Sequence, residues 1–296
     1  MRRQIIVILL SLFCFALPSA WGADRGALFK VSANGHTMYL FGTMHVGVPG
    51  FYPLEPRIEQ AVAGASTLAL EIDTGHDPAA TAQAVGRHGM NAPGVSLYDQ
   101  MAPELKERLV KVLGRAGIDA GAVAGVRPWL VVMMLALSEY GAQGYRPDLA
   151  VDQHLAQLAR AKGVPVMELE SVDAQLSLFS SMPLERQLRF LEEVVEMIEQ
   201  GRQAAEVRQV IEAWSGADQA GLEAIAQRIE EDQTVSGRFL QKVLLEERNR
   251  KMADKLAQLL AQKNNSVAAV GVLHLVGKTS VPALLRARGM AVERVY

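Results

Sequence analysis

The sequence predicts an α/β fold in which a mixed central β-sheet is flanked by helices and interrupted by a helical insertion. Three observations carry that prediction. Short strand-like apolar runs alternate with amphipathic segments through the first half of the chain, the pattern of βαβ units. From about Pro183 to Gln262 the chain turns helical and charge-rich. Strand character then returns in "SVAAVGVLHLVG" and "AVERVY".

Each element has its own signal. "ALFKVSANGHTMYLFG" is two alternating apolar runs joined at Asn34-Gly35, a strong hairpin-turn dipeptide. "FYPLEPRIEQAVAGA" reads as a short helix, and "STLALEID" as a buried strand, because its apolar run has no solvent face. The segment "DPAATAQAVGRHGMNAPGVSLYDQ" reads as loop. "MAPELKERLVKVLGRAG" is an amphipathic helix stopped at Gly117. A helix then opens with Pro128 at its first position, and its nine apolar residues from Trp129 to Leu137 are too few to span a membrane. "DLAVDQHLAQLARAKGVPVMELES" is a helix ended by Gly163, followed by a strand finishing at Glu168 or Glu170. "PLERQLRFLEEVVEMIEQ", "GLEAIAQRIEE" and "LLEERNRKMADKLAQLLAQ" repeat apolar residues at the helical period. "TSVPALLRARGM" is a closing helix. No low-complexity linker divides the chain, so residues 24–296 read as a single domain with the helical insertion at about 175–262.

Composition bounds the function. The chain has 296 residues, 50% hydrophobic and 21% charged, which suits a globular protein with a sizeable core. A formal net charge of −2, with basic and acidic residues interleaved, leaves no excess to neutralise phosphates, so nucleic acid is not an expected partner. At the N-terminus, the basic "MRRQ", the apolar "IIVILLSLFCFALP" and the small-residue "SAWGAD" read as a cleavable signal over residues 1–23. Its removal takes away Arg2, Arg3 and Cys14, leaving 28 basic residues against 32 acidic and a net charge of −4. The expected mature chain, periplasmic or secreted, has no membrane span, disulfide or thiolate.

Twice an apolar strand runs into Gly-x-x-His: Gly42 to His45, and Gly271 to His274. With 25 glycines and 6 histidines, chance supplies about 0.5 such spacings, so context rather than the count decides. Both histidines follow a strand, as does Glu71 at the end of "LALE", and open α/β sheets bind ligands beyond the carboxyl ends of their strands. His36 beside the hairpin turn faces solvent on this reading; His76 and His88 fall in polar loop, and His154 on an amphipathic helix. Two imidazoles and a carboxylate can hold a divalent metal with open positions for water and substrate. The same groups can also act without metal, with histidine as general base on water. No His-Glu-x-x-His, Gly-x-Ser-x-Gly or phosphate-binding loop is present.

Taken as an ordered set, "YLFGTMHVG", the strand ending at Glu71, "RPW", "GYRPDLAVDQHL", "ELES", "EERNRKMADKL" and "AVGVLHLVG" resemble the TraB/PrgY/GumN family, which includes the Tiki proteins. The resemblance implies an erythromycin-esterase/ChaN-like fold. It also implies, from the Tiki branch, a manganese- or cobalt-dependent peptidase that requires His45, Glu71 and His274; these three are the expected catalytic residues and the expected ligands of a divalent metal, whether manganese, cobalt or zinc. On the same resemblance Glu247, Arg248 and Asn249 would match the family's polar cluster on the late helix and Arg127 its Arg/Lys-Pro-Trp turn; Arg127, Arg248 and Asn249 are the expected substrate-binding residues. Glu247 and Lys251 also form an i,i+4 pair that a solvated helix face explains.

Together these features predict an exported hydrolase of peptide or protein substrates. A metal-free esterase-like hydrolase using the same residues stays open, as does a periplasmic binding protein that sequesters a peptide or metal-bearing ligand.

Overall fold

The computed structural model describes residues 23–73 and 75–296. The expected signal, Ala23 apart, lies outside the described residues. Among the described residues no helix is long and apolar enough to cross a membrane.

The mixed sheet runs β4-β3-β5-β2-β1-β6 among the described residues. Its strands are β1 (Leu28–Ala33), β2 (His36–Thr43), β3 (Leu68–Leu70), β4 (Val166–Glu168), β5 (Ser266–Gly271) and β6 (Ala291–Arg294). β1 and β2 pair antiparallel around Asn34 and Gly35, whose φ values of 51° and 79° supply the left-handed pair that a tight two-residue hairpin turn demands. β5 enters from the far end of the sequence and lies parallel to both β2 and β3. Its first five residues are buried, as a central strand covered on both faces requires.

Register then sets the site. Thr43 pairs with Gly271, and Leu70 with Ala269, so β2, β3 and β5 end almost level. The residues that follow them emerge at one edge.

The helices are α1 (Pro56–Ala63), α2 (Pro78–Gly89), α3 (Pro103–Arg115), α4 (Pro128–Ala142), α5 (Val151–Ala161) and α6 (Val172–Ser180). They continue with α7 (Leu184–Glu199), α8 (Arg202–Ser215), α9 (Gln219–Glu231), α10 (Val235–Phe239), α11 (Arg248–Gln262) and α12 (Val281–Ala287). α2 corrects the loop expected there. Asp77 accepts the Ala80 amide as N-cap, Pro78 fills the first helical position, and an alanine-rich turn follows. Those local signals outweigh Gly86 and Gly89, and they put His88 on a helix. His36 also departs from expectation: it is half-buried, with Nδ1 bonded to the Leu260 carbonyl at 2.8 Å.

Two apolar cores result among the described residues. One packs Leu40, Phe41, Ala268 and Ala269 of the sheet against Leu155 and Leu256. The other joins Leu109, Trp129, Leu135, Leu191 and Val195 of α3, α4 and α7.

The loop carrying His45 is tied down on both sides. Gly47 exchanges two backbone hydrogen bonds of 2.9 Å with Arg146, and the Val151 amide donates to the Met44 carbonyl. On the sheet side, Trp214 Nε1 donates to the Gly42 carbonyl at 2.8 Å. A Cβ at Gly47 would lie 1.9 Å from the Leu149 carbonyl oxygen, so the loop cannot approach α5 with any side chain there. Gly47→Ala should therefore lower stability by about 1–3 kcal/mol, the usual cost of overpacking. A urea-unfolding midpoint matching the wild type would refute this account of the loop.

Candidate functional site at the carboxyl edge of the sheet

The level strand ends bring the three predicted residues together. A Cβ built on Gly271 would stand 3.4 Å from His45 Nε2, 3.6 Å from Glu71 Oε2 and 3.6 Å from His274 Cδ2. The missing side chain at Gly271 is thus the space on which the cluster converges.

Glu71 is the anchor. It is 5% exposed, and each oxygen is held. Oε1 accepts from Arg248 Nη2 and from Gln175 Nε2 at 2.9 Å, while Oε2 accepts the Gly271 amide at 3.2 Å. Arg248, equally buried, turns its Nε to Glu170 Oε2 at 2.8 Å and its Nη1 to the Leu244 carbonyl at 3.1 Å. Burial by itself works against the Glu71 charge, but the His274 ring, Arg248 and His45 hold the carboxyl well below the usual range. Of these, the guanidinium alone is charged at every relevant pH. Burial pushes the Glu170 carboxyl up, although Arg248 draws it down.

The two histidines differ in protonation. His274 is buried and pushed down to about 4 by desolvation, so it is neutral near pH 7. Its Nδ1 meets Asn249 Oδ1 at 2.6 Å, and Asn249 Nδ2 donates to the Thr279 carbonyl at 2.8 Å. That second bond fixes the amide so that oxygen faces the ring; Nδ1 therefore carries the proton and Nε2 the lone pair. His274 Nε2 stands 3.6 Å from Glu71 Oε2, two acceptors face to face. His45 is the reverse. Its enclosed setting pulls the ring down, but the charge of Asp152 and a 2.8 Å Nδ1 hydrogen bond to it, aided by Glu71, raise it to about 9. The His45 side chain is 61% exposed even though protein encloses it, because the ring forms part of the wall of an open cavity.

That cavity encloses about 550 Å³ and draws on both cores, with Met44 and Val272 from one and Trp129 and Phe179 from the other. Volumes of this size hold small-molecule ligands. A π-helical turn, Leu240–Glu247, borders it through Leu240, Leu244 and Leu245 and leads directly into Arg248.

Not every sequence-predicted residue meets here. Asn249 acts through His274. Arg127, at the start of α4, spends Nε on the Met90 carbonyl at 3.0 Å and Nη1 on the Ser180 carbonyl at 3.3 Å, and it is not part of the cavity wall. Glu247 is exposed. Sequence reasoning did not single out Asp152, Gln175 or Glu170; a signal for Asp152 existed, since it opens a helix inside "RPDLAVDQHL". His76 and His154 stay outside the cavity wall, the His154 ring lying tilted against Tyr52 with centroids 4.4 Å apart.

Once His45 gives up its Nε2 proton, His45 Nε2, His274 Nε2 and Glu71 Oε2 are the atoms that could hold a divalent cation. The chemistry fits: each ring is oriented through its other nitrogen, as metal-ligating imidazoles are, and two opposed acceptors await a positive centre. As the side chains stand, no group of three or more His, Cys, Asp or Glu among the described residues is placed to hold a metal ion.

Fold and site together define an α/β protein with a histidine–glutamate cluster at the carboxyl edge of a mixed sheet. The chain belongs to the TraB/PrgY/gumN family, whose model matches residues 27–294. It is 25% identical over 282 residues to the uncharacterized protein YbaP of Escherichia coli (strain K12), covering 92% of this chain and 98% of that one. The uncharacterized protein YbaP of Shigella flexneri is likewise 25% identical over 283 residues, with 92% and 98% coverage. No solved structure matches this chain.

Removing one partner of a buried ion pair strands the other charge. Arg248→Met should cost about 3–5 kcal/mol, because Glu71 and Glu170 lose their common cation. Denaturant unfolding at pH 7 checks this; a loss under 1 kcal/mol would mean the pair is not buried as described.

Proposed function

We propose that the protein is an exported hydrolase of amide or ester bonds, acting through His45, Glu71 and His274 and dependent on a divalent metal. The observation that carries the reading is the 3.6 Å approach of His274 Nε2 to Glu71 Oε2, both acceptors, beside the open floor at Gly271. A water there can donate to either acceptor while its oxygen faces the cavity.

In this reading His274 Nε2 takes a proton from that water as its oxygen adds to the substrate carbonyl carbon. His45, held by Asp152, directs Nε2 towards the oxygen that gains charge. When the tetrahedral centre collapses, the proton on His274 passes to the departing nitrogen or oxygen. Glu71 orients the water, and Arg248 keeps it ionised throughout. Where a divalent cation is bound instead, His45 Nε2, His274 Nε2 and Glu71 would be spent on holding it, and the cation would supply the carbonyl polarisation and the water activation in place of the histidine roles above.

The metal-free reading has its own support. Both Glu71 oxygens are already engaged by Arg248, Gln175 and Gly271. Dialysis against EDTA followed by manganese, cobalt or zinc add-back separates the two. Under the metal reading, chelation removes cleavage of a peptide and ester library and one of the ions restores it; indifference to chelation selects metal-free catalysis.

Two substitutions test the cluster itself. His274→Ala should lower kcat about 10²–10⁴-fold with the fold intact by circular dichroism. Gly271→Ala should leave the melting temperature nearly unchanged, because its methyl meets only ordinary contact distances, yet abolish turnover by filling the water position. A fully active Gly271→Ala protein would remove the proposed reaction centre.

A further inference from the structure

The hydrolytic reading leaves open what enters the cavity, and the following step rests on that reading. We infer that the substrate is a neutral ester or amide of a hydrocarbon acyl chain, with its carbonyl at His45 and His274 and its chain in the cavity.

The walls argue for hydrocarbon. Trp129, Met133 and Leu137 of α4, Phe179 of α6, and Leu240 and Leu244 of the π turn line the cavity. Trp129 and Phe179 stack at 5.1 Å, and Leu137 is 48% exposed. On α4 the polar side-chain atoms of this wall are the Tyr140 hydroxyl and Trp129 Nε1, and the latter is already spent on the His88 carbonyl at 3.1 Å. An extended peptide would carry an N–H and a C=O per residue past these walls and leave them unpaired, at the full cost of desolvation. A hydrocarbon chain brings no such groups, and its burial is favourable along its whole length.

Charge argues for a neutral head. Around the polar end stand the carboxylates of Glu71, Asp152 and Glu170, and the guanidinium of Arg248 there is already paired with Glu71 and Glu170, while Asp152 is bonded to His45. In the metal-free protein a free fatty-acid carboxylate would find no unmatched cation among them. An uncharged ester or amide carbonyl meets no such penalty.

Two measurements on the purified protein test this, and they fail separately. The first is binding to EDTA-dialysed protein: N-phenyl-1-naphthylamine, a neutral apolar dye, is loaded and displaced by methyl decanoate, methyl acetate, decanoate or a capped hydrophobic tripeptide. Displacement by methyl decanoate at least tenfold more effective than by the other three is expected. Equal or better competition by the tripeptide or by decanoate, or no displacement at all, overturns the inference whether or not the protein hydrolyses anything. The second is hydrolysis of 4-nitrophenyl esters from acetyl to decanoyl. Here kcat/KM should rise up to about fourfold per methylene, the ratio given by burying one CH₂. Ala136→Trp, which fills the cavity, should compress the decanoyl-to-acetyl ratio. A flat chain-length profile with real turnover sinks the acyl-chain inference and keeps the hydrolase. Selective binding without turnover of any ester or amide does the reverse.

Discussion

The site depends on one buried ion pair, Glu71 with Arg248. Taking two charges out of water costs several kcal/mol per ion, and attraction offsets that only when the remaining donors and acceptors are met. Here they are: Gln175 and the Gly271 amide complete the carboxylate, while Glu170 and the Leu244 carbonyl complete the guanidinium. The pair therefore does more than neutralise charge. It ties the end of β3 to the first residue of α11, and the next residue of that helix, Asn249, then reaches His274. One helix start positions both the carboxylate and the second imidazole.

The two Gly-x-x-His units have the same local grammar and opposite electrostatics. A carboxylate behind His45 favours its imidazolium, whereas a neutral amide behind His274, deeper in the protein, favours the free base. Dividing the states of two like groups through their surroundings is how one site obtains both a proton donor and a proton acceptor at neutral pH. The partner of each ring, rather than the motif, makes that difference.

Polar cluster and apolar cavity also depend on each other. Hydrogen bonds and charges gain strength where protein rather than water surrounds them. The second core, built from α3, α4 and α7, supplies that surrounding and extends the site beyond the sheet edge. The helices outside the strand pattern thus shape the medium in which the histidines and Glu71 operate.

Much of this was legible in the primary chain. Asn34-Gly35 specified the hairpin, a continuous apolar run marked β3 as buried, and Gly-x-x-His after a strand marked both histidines, because each signal is local in range. α2 was misread because its apolar pattern is weak, although its Asp77-Pro78 cap was there to be seen. The partners were a different matter. Asp152 lies 107 residues from His45, Arg248 177 from Glu71, and Glu170 78 from Arg248. No spacing rule links such positions; β5 inserting between β2 and β3, the start of α5 docking on the His45 loop, and the start of α11 reaching Glu71 and Glu170 bring them into contact. Arg127 shows the converse, since its local motif was clear and only packing decided that backbone carbonyls would take its donors. The sequence alone determined which side chains could do chemistry and that they follow strands. Tertiary structure decided their partners, and hence their charges, because protonation is set by neighbours in space and not along the chain.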